Sequence, residues 1–387
     1  MPTLRTSLLS RPLRAVSNKP EIGILIVWLL VNAGFLIMHG IHTDFEANTY
    51  VREARTFIRT GHLETANFRY YFVQIAILSF ALKFHLGFVF ATAVQMIFNL
   101  LATLYFFTTL DFIFKSRKVA FAATLLLLFN LPYQEFNVYL QTESLFQSFT
   151  LLLSCYLLRK EKVSSIDLLI IPCALFIISI TRPVGLLYIP AVLPYLVSIH
   201  FKKQAPATRI MWLFLPTALF LLTLDKAMGS GGSLDFMLPF REEHIICGVP
   251  TLLYPEALRT AGNGNSVYAI LYYVIHNSGQ FFRLAALKSL SFWGLYRSYY
   301  SLMHTLFLAC YFYTIIFLAA CSFPYWWKTL RNKFIYLSGL ILLTWATVIL
   351  TCDDWHNRFF LSISPYLIIL ATPFILKYSK KSGSGAA

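Results

Sequence analysis

Apolar runs of about 20 residues, each long enough to cross a bilayer, recur along almost the whole 387-residue chain. No water-soluble core has room for that many. With 58% hydrophobic and 13% charged residues, the chain lies far from soluble globular composition, and disorder, collagen, coiled coil and a small disulfide scaffold all fail. The expected fold is all-α, a polytopic membrane protein with a single transmembrane domain over residues 1–381. The ending SGSGAA, 382–387, reads as a tag remnant.

The formal net charge of +15 would point to nucleic acid in a soluble chain. In a membrane protein Lys and Arg collect in cytoplasmic loops, so no nucleic-acid partner is expected. Arg5, Arg11, Arg14 and Lys19 precede the first apolar run without an acid or a small-residue cleavage site. That pattern places the N-terminus inside and leaves the first helix uncleaved. The apolar piece 68–87 is ambiguous. If it spans, the cluster Lys115, Arg117 and Lys118 falls outside; if it lies at the outer surface, that cluster falls inside. The second arrangement gives ten spans near 22–40, 88–112, 119–133, 144–158, 166–182, 184–201, 210–225, 302–326, 334–351 and 359–376, with both termini cytoplasmic. Nineteen of the 32 Lys and Arg but only four of the 17 acids then lie inside, so the whole basic excess sits on one face.

Two outer segments, 41–87 and 226–301, exceed simple turns. Long loops are usually functional, so chemistry is expected on the outer face. The cytoplasmic loops are short and carry no GxxxxGK[ST] or GxGxxG, which argues against a cytosolic nucleotide site.

In the first outer loop Asp44 and Glu46 open an amphipathic stretch that puts Glu46 and Tyr50 on one helical face. Either carboxylate can serve as general base for an acceptor hydroxyl; alternatively Asp44 is a helix N-cap. Glu143, Arg182 and Arg358 stand at the outer ends of three spans, where ionisable residues are costly and functional by default. Arg182, held out of helix by Pro183, can grip phosphate oxygens bidentately; snorkelling to headgroups is the alternative. Arg297, Tyr299, Tyr300 and His304 form an arginine and aromatic group that fits phosphate and sugar, or an interfacial belt. Asp353, Asp354 and His356 are the one carboxylate and imidazole cluster, and a polar loop accounts for it without a metal ion. Cys155, Cys173, Cys310 and Cys321 fall within spans; Cys247 and Cys352 are the one pair available for an outer disulfide.

An acid four residues before Tyr, followed by Ala and Gly just after the first transmembrane helix, resembles the first external loop of the GT-C superfamily of membrane glycosyltransferases. Here these are Glu46, Tyr50, Ala54 and Gly61, with Asp44 two residues upstream. An Asp holds the first position in much of the family; of the two acids Asp44 is favoured as base here, with Glu46 next. FRYYFVQIAILSFALKFHLG is similar to the family's re-entrant piece. NLPYQEFNVYLQTESLFQSF, TRPVGLLYIP and DDWHNRFFLSISPYLIILA resemble later motifs in their usual order.

The resemblance implies an inverting glycosyltransferase of the protein O-mannosyltransferase and aminoarabinose transferase kind. A sugar would move from a polyprenyl phosphate to an acceptor glycan, lipid or protein on the extracytoplasmic face of a bacterial inner membrane. Asp44 or Glu46 would be catalytic, Arg182, Arg297 and Arg358 would bind the donor phosphate, and Tyr50, Glu143, His304, Asp354 and His356 would contact substrate. No cofactor is implied, a divalent metal being needed only for diphosphate-linked donors. The rival expectations are a glycan polymerase or ligase using such a donor, and a lipid or sugar transporter.

Overall fold

The computed structural model describes residues 19–200, 206–229, 235–251, 258–260 and 264–384. Arg5, Arg11, Arg14, Lys202, Lys203, three residues of the GSGG run at 229–232 and Asn263 lie outside the described residues, as does the chain end after Ser384.

Among the described residues the chain is all-helical, with two isolated parallel bridges, His42 to Tyr139 and Ile246 to Asp353, in place of strands. Six helices are long and apolar enough to cross a membrane: α1 (Pro20–His39), α4 (Gly87–Phe114), the stretch Pro183–His200, α14 (Leu302–Cys321), α16 (Arg331–Leu350) and the apolar part, Arg358–Lys377, of α17 (Arg358–Ser384). This is a multi-pass membrane protein. The last of these helices is 78% buried and the other five 17–39%, so α17 is the central post and its neighbours turn a face outward to lipid.

Several apolar runs do not form simple rods. The run 119–133 divides into α5 (Arg117–Leu128) and a short piece over Leu131–Val138, bent by 65°. Proline is the cause: Pro132 sits in the first turn of the new helix α6 (Leu131–Glu135), where a proline starts a helix but cannot continue one. A break at membrane depth persists only where freed backbone groups are paired. Gln134 Nε2 accordingly donates to the Leu127 carbonyl at 3.1 Å, and Asn130 Nδ2 ties the bend to Ser364 of α17 at 2.7 Å. Asn137 Nδ2 then donates to Asn32 of α1 at 2.8 Å, and Ser144 to Asn137 at 2.6 Å.

Helices α7 (Glu143–Leu158) and α8 (Asp167–Ser179) have 16 and 13 residues, about 24 and 20 Å at 1.5 Å per residue. Segment 41–87 forms α2 (Glu46–Thr60), a 3-10 turn (Ala66–Tyr71) and α3 (Phe72–Lys83). At about 18 Å, α3 falls well short of the ~30 Å hydrocarbon core. Gly61 ends α2 in the left-handed conformation (φ 73°), its N–H bonding Phe57 O at 2.9 Å. Segment 226–301 contributes α12 (Val267–His276) and α13 (Ser278–Gly294).

Charges separate to the two ends of the bundle. Arg117 pairs with Glu21, Lys160 with Asp167 at 2.7 Å, and Arg159 Nη1 donates to Thr108 at 3.3 Å. All of these lie at the end opposite Glu46, Glu143 and Arg358.

Cys247 and Cys352 form a disulfide across 105 residues. Cys247 N donates to Asp353 O and Asp353 N to Ile245 O, both at 2.8 Å. The bridge therefore fastens the long segment 226–301 to the short turn between α16 and α17. Closing a loop of this length is worth about 4–5 kcal/mol in the chain-entropy model. Cys352→Ser is expected to lower unfolding free energy by about 2–5 kcal/mol, and reductant should then have no further effect. A variant as stable as wild type in a denaturant titration would rule out that contribution.

Candidate functional site

Five charged side chains from four parts of the chain meet at the end of the bundle where the disulfide lies. Arg358, the first residue of α17, is their centre. Its two terminal nitrogens fork onto Glu46 Oε2 and Oε1, each at 2.8 Å, and also reach Glu143 Oε1 at 2.8 Å and Asp354 Oδ1 at 2.7 Å. Arg182 bonds Glu143 Oε1 and, at 3.2 Å, Asp354 Oδ2. The Glu143 side chain is 1% exposed, Asp354 6%, Arg358 9% and Arg182 12%, whereas Glu46 is 45% exposed. Three acids against two arginines leave one formal negative charge. Glu143 Oε2, Arg358 Nε and both polar atoms of Gln147, one helical turn deeper, are buried without a partner.

Local sequence explains how each group arrives. Glu46 and Glu143 each open a helix, where a carboxylate interacts favourably with the N-terminal dipole. Arg182 is extended, as the residue before Pro183 must be, and the following turn packs so tightly on α8 that a Cβ on Gly185 would lie 2.4 Å from Ile178 O. Any side chain there would push Arg182 out of place. The residues just before Glu46 and Arg358, Phe45 and Asn357, both have positive φ, 55° and 53°. Such a conformation costs a bulky residue about 1–3 kcal/mol and persists where surrounding structure imposes it.

Two cavities flank the cluster, and Glu46, Trp355 and Arg358 line both. The larger, about 840 Å³, has Glu135, Tyr299, Tyr300, His304 and His356 around its polar part, with Pro132, Phe136, Leu308 and Leu361 as apolar lining. The smaller, about 500 Å³, adds Arg182 and Asp354 to Leu186, Leu187, Phe220, Leu224 and Leu350.

Burial pushes the Glu46 carboxyl upward, but the charge and hydrogen bonds of Arg358, aided by Arg182, outweigh this and hold it below the ordinary carboxylate range. Asp354 behaves alike: burial raises it, and the two arginines bring the net shift down. The neutral form of His356 is favoured by burial and by Arg358. Burial raises the Tyr50 phenol strongly; its hydroxyl donates to Glu46 Oε2 at 3.4 Å. Tyr50 thus supports Glu46 from within α2 and lines neither cavity.

Asp44 lies apart from this cluster. Its side chain is 68% exposed, 3.8 Å from His42 Nδ1, and Phe45 rather than Asp44 caps α2, without a side-chain bond. The turn at Phe45 separates the two acids, sending Glu46 inward to Arg358. Arg297 also departs from expectation. It is 3% exposed and committed to protein: Nη2 to Asp353 Oδ2 at 2.6 Å and to Asp354 O at 2.7 Å, Nε to Asp354 O at 3.2 Å, and Nη1 to Ser291 and Tyr296. It lines neither cavity and braces the turn that carries Asp354. Arg297→Lys, which cannot reproduce a planar fork, is expected to lower thermal stability by about 1–3 kcal/mol. A lysine variant as stable as wild type in thermal unfolding would mean that this fork does not brace the turn.

Lys288 and Trp355 carry no motif. Lys288 is fully buried; its Nζ donates to the carbonyls of Ile349 and Thr351 at the end of α16 and lies 4.5 Å from the Phe240 ring centroid. Burial pushes its pKa down to about 7. Trp355 Nε1 donates to Cys247 O at 2.9 Å, which holds the indole between the two cavities. Among the described residues no group of three His, Cys, Asp or Glu side chains is placed to hold a metal ion: Asp353 turns to Arg297 and Ser291, Asp354 to Arg182 and Arg358.

No protein-family model, curated protein or solved structure matches the chain.

Proposed function

We propose that the protein is an inverting glycosyltransferase of GT-C type that takes a sugar from a polyprenyl phosphate on the extracytoplasmic face of a bacterial inner membrane. The carrying observation is the Glu46 and Arg358 pair shared by two cavities, because a base and an anion-binding fork in one contact can serve both partners of a transfer. The ten-span topology with cytoplasmic termini belongs to this reading. Here α5 with its bent continuation counts as one span, α7, α8 and α10 (Pro206–Met228) cross with their flanking residues, and α2 and α3 lie at the outer surface.

The donor occupies the smaller cavity, where both arginines face its phosphate. An incoming phosphate competes with Glu46 for the Arg358 fork. Released from that fork, Glu46 regains basicity while remaining beside the larger cavity. It takes the proton of the acceptor hydroxyl as the oxygen attacks the anomeric carbon. The new carbon–oxygen bond forms on the face opposite the breaking one, and the bonding pair departs with the lipid phosphate, whose charge Arg182 and Arg358 hold. Glu143 and Asp354, each bonded to both arginines, keep them side by side and part-neutralised between turnovers. The ionisable groups gather at helix ends rather than midway, which favours transfer over transport.

The test is direct. Purified protein is incubated with a panel of radiolabelled polyprenyl-phosphate sugars and a bacterial lipid extract, with and without chelator, and label is followed. Transfer from one monophosphate donor that survives chelator supports the reading. Transfer only from a diphosphate-linked glycan puts a polymerase or ligase in its place, and none from any donor removes it.

A further inference from the structure

We infer that the acceptor is itself a membrane lipid with a hydroxylated headgroup, held in the larger cavity with its chains inside the bilayer. This rests on the glycosyl-transfer reading and adds the class of its second substrate. A soluble glycan or an exposed protein loop needs a site at or above the ends of the helices. This cavity goes below them. Leu308, which lines it, lies six residues into α14, about 9 Å along the helix axis, and Leu361 lies nearly one turn beneath Arg358. Pro132 and Phe136, on either side of Glu135 in the bent continuation of α5, add to the apolar lining.

Beside it the first turn of α14 turns outward, with Leu302 74% and Met303 77% exposed, so the cavity adjoins a lipid-facing surface. Its polar lining has a different character. Tyr299 and Tyr300 pack edge to face with centroids 4.9 Å apart, Tyr300 tilts on His304 at 4.2 Å, and Glu46 and Glu135 line the same cavity. Ring faces and two carboxylates suit the hydroxyls and apolar faces of a sugar ring. Polar above and apolar below is the pattern of an amphiphile.

Two measurements test this. In the first, transfer is compared between a total lipid extract and the same extract after mild alkaline deacylation, which keeps the headgroup hydroxyls and removes the ester-linked chains. At least a tenfold loss of acceptor activity is expected; headgroups that accept label as well as intact lipid would overturn the proposal. In the second, Leu308 is replaced by benzoylphenylalanine in the full chain and irradiated in native membranes. An adduct with an acyl-chain lipid is expected. An adduct with polyprenyl phosphate alone, or with no lipid, would overturn it. The crosslink does not depend on turnover, so an acyl-lipid adduct without transfer from any donor would sink the glycosyl-transfer reading and leave the lipid site standing.

Discussion

Arg358→Ala is expected to destabilise the protein by about 3–5 kcal/mol and to abolish transfer, the largest effect of any single substitution at the site. The guanidinium is nearly buried and contacts Glu46, Glu143 and Asp354 at 2.7 to 2.8 Å. Removing it leaves Arg182 alone to face three carboxylates, and an uncompensated buried charge is what makes the loss of one member of such a group costly. Arg358→Lys should be milder in stability yet equally inactive, because one ammonium cannot fork onto Glu46 while bonding the other two acids. Thermal and denaturant unfolding in detergent would read the first effect, and labelled-sugar transfer the second. An alanine variant within about 0.5 kcal/mol of wild type would mean that the three acids are not held charged together.

Glu46→Gln is expected to lower kcat by about 10² to 10⁴, the usual worth of a positioned general base, with little loss of stability because the amide oxygen still accepts from Arg358. Asp44→Asn, on the exposed side of Phe45, should stay within about twofold of wild type. The reverse order of effects would transfer the base to Asp44. The pH dependence follows from the same pair. Glu46 is held below the ordinary carboxylate range in the free protein, so the acid limb of kcat/KM should lie below pH ~4.3. When phosphate takes over Arg358, that depression is lost and the acid limb of kcat moves upward. The stability contribution has the matching sign: it is present above the ordinary carboxylate pKa and disappears as pH falls through the lowered one. Coincident limbs for kcat and kcat/KM would argue against the exchange of Arg358 between carboxylate and phosphate.

Much of the site was legible in the chain because its members occupy punctuated positions. Glu46 and Glu143 precede apolar helical runs, Arg182 precedes a proline, and Arg358 opens the last span. What sequence spacing could not decide was direction. Asp44 and Glu46 are two residues apart, and only the left-handed turn at Phe45 gives one to the cluster and the other to solvent. Arg297 reads as a phosphate ligand in FWGLYRSYY; its partners lie 56 and 57 residues on, at Asp353 and Asp354, beyond the reach of any local pattern. Lys288 looks like an ordinary helical lysine until tertiary packing puts the end of α16 over it.

The sequence by itself determined that this is an all-helical membrane protein and singled out the acids and arginines at the ends of its apolar runs. Hydropathy, proline positions and charge asymmetry are local quantities that the bilayer reads one segment at a time. Only the tertiary structure decided which helix is central, which apolar runs break, that Cys247 meets Cys352, and that Glu46 rather than Asp44 faces Arg358 between two cavities. These depend on contacts across as many as 312 residues, where packing and the pairing of buried charge, rather than any residue's own preference, select the arrangement.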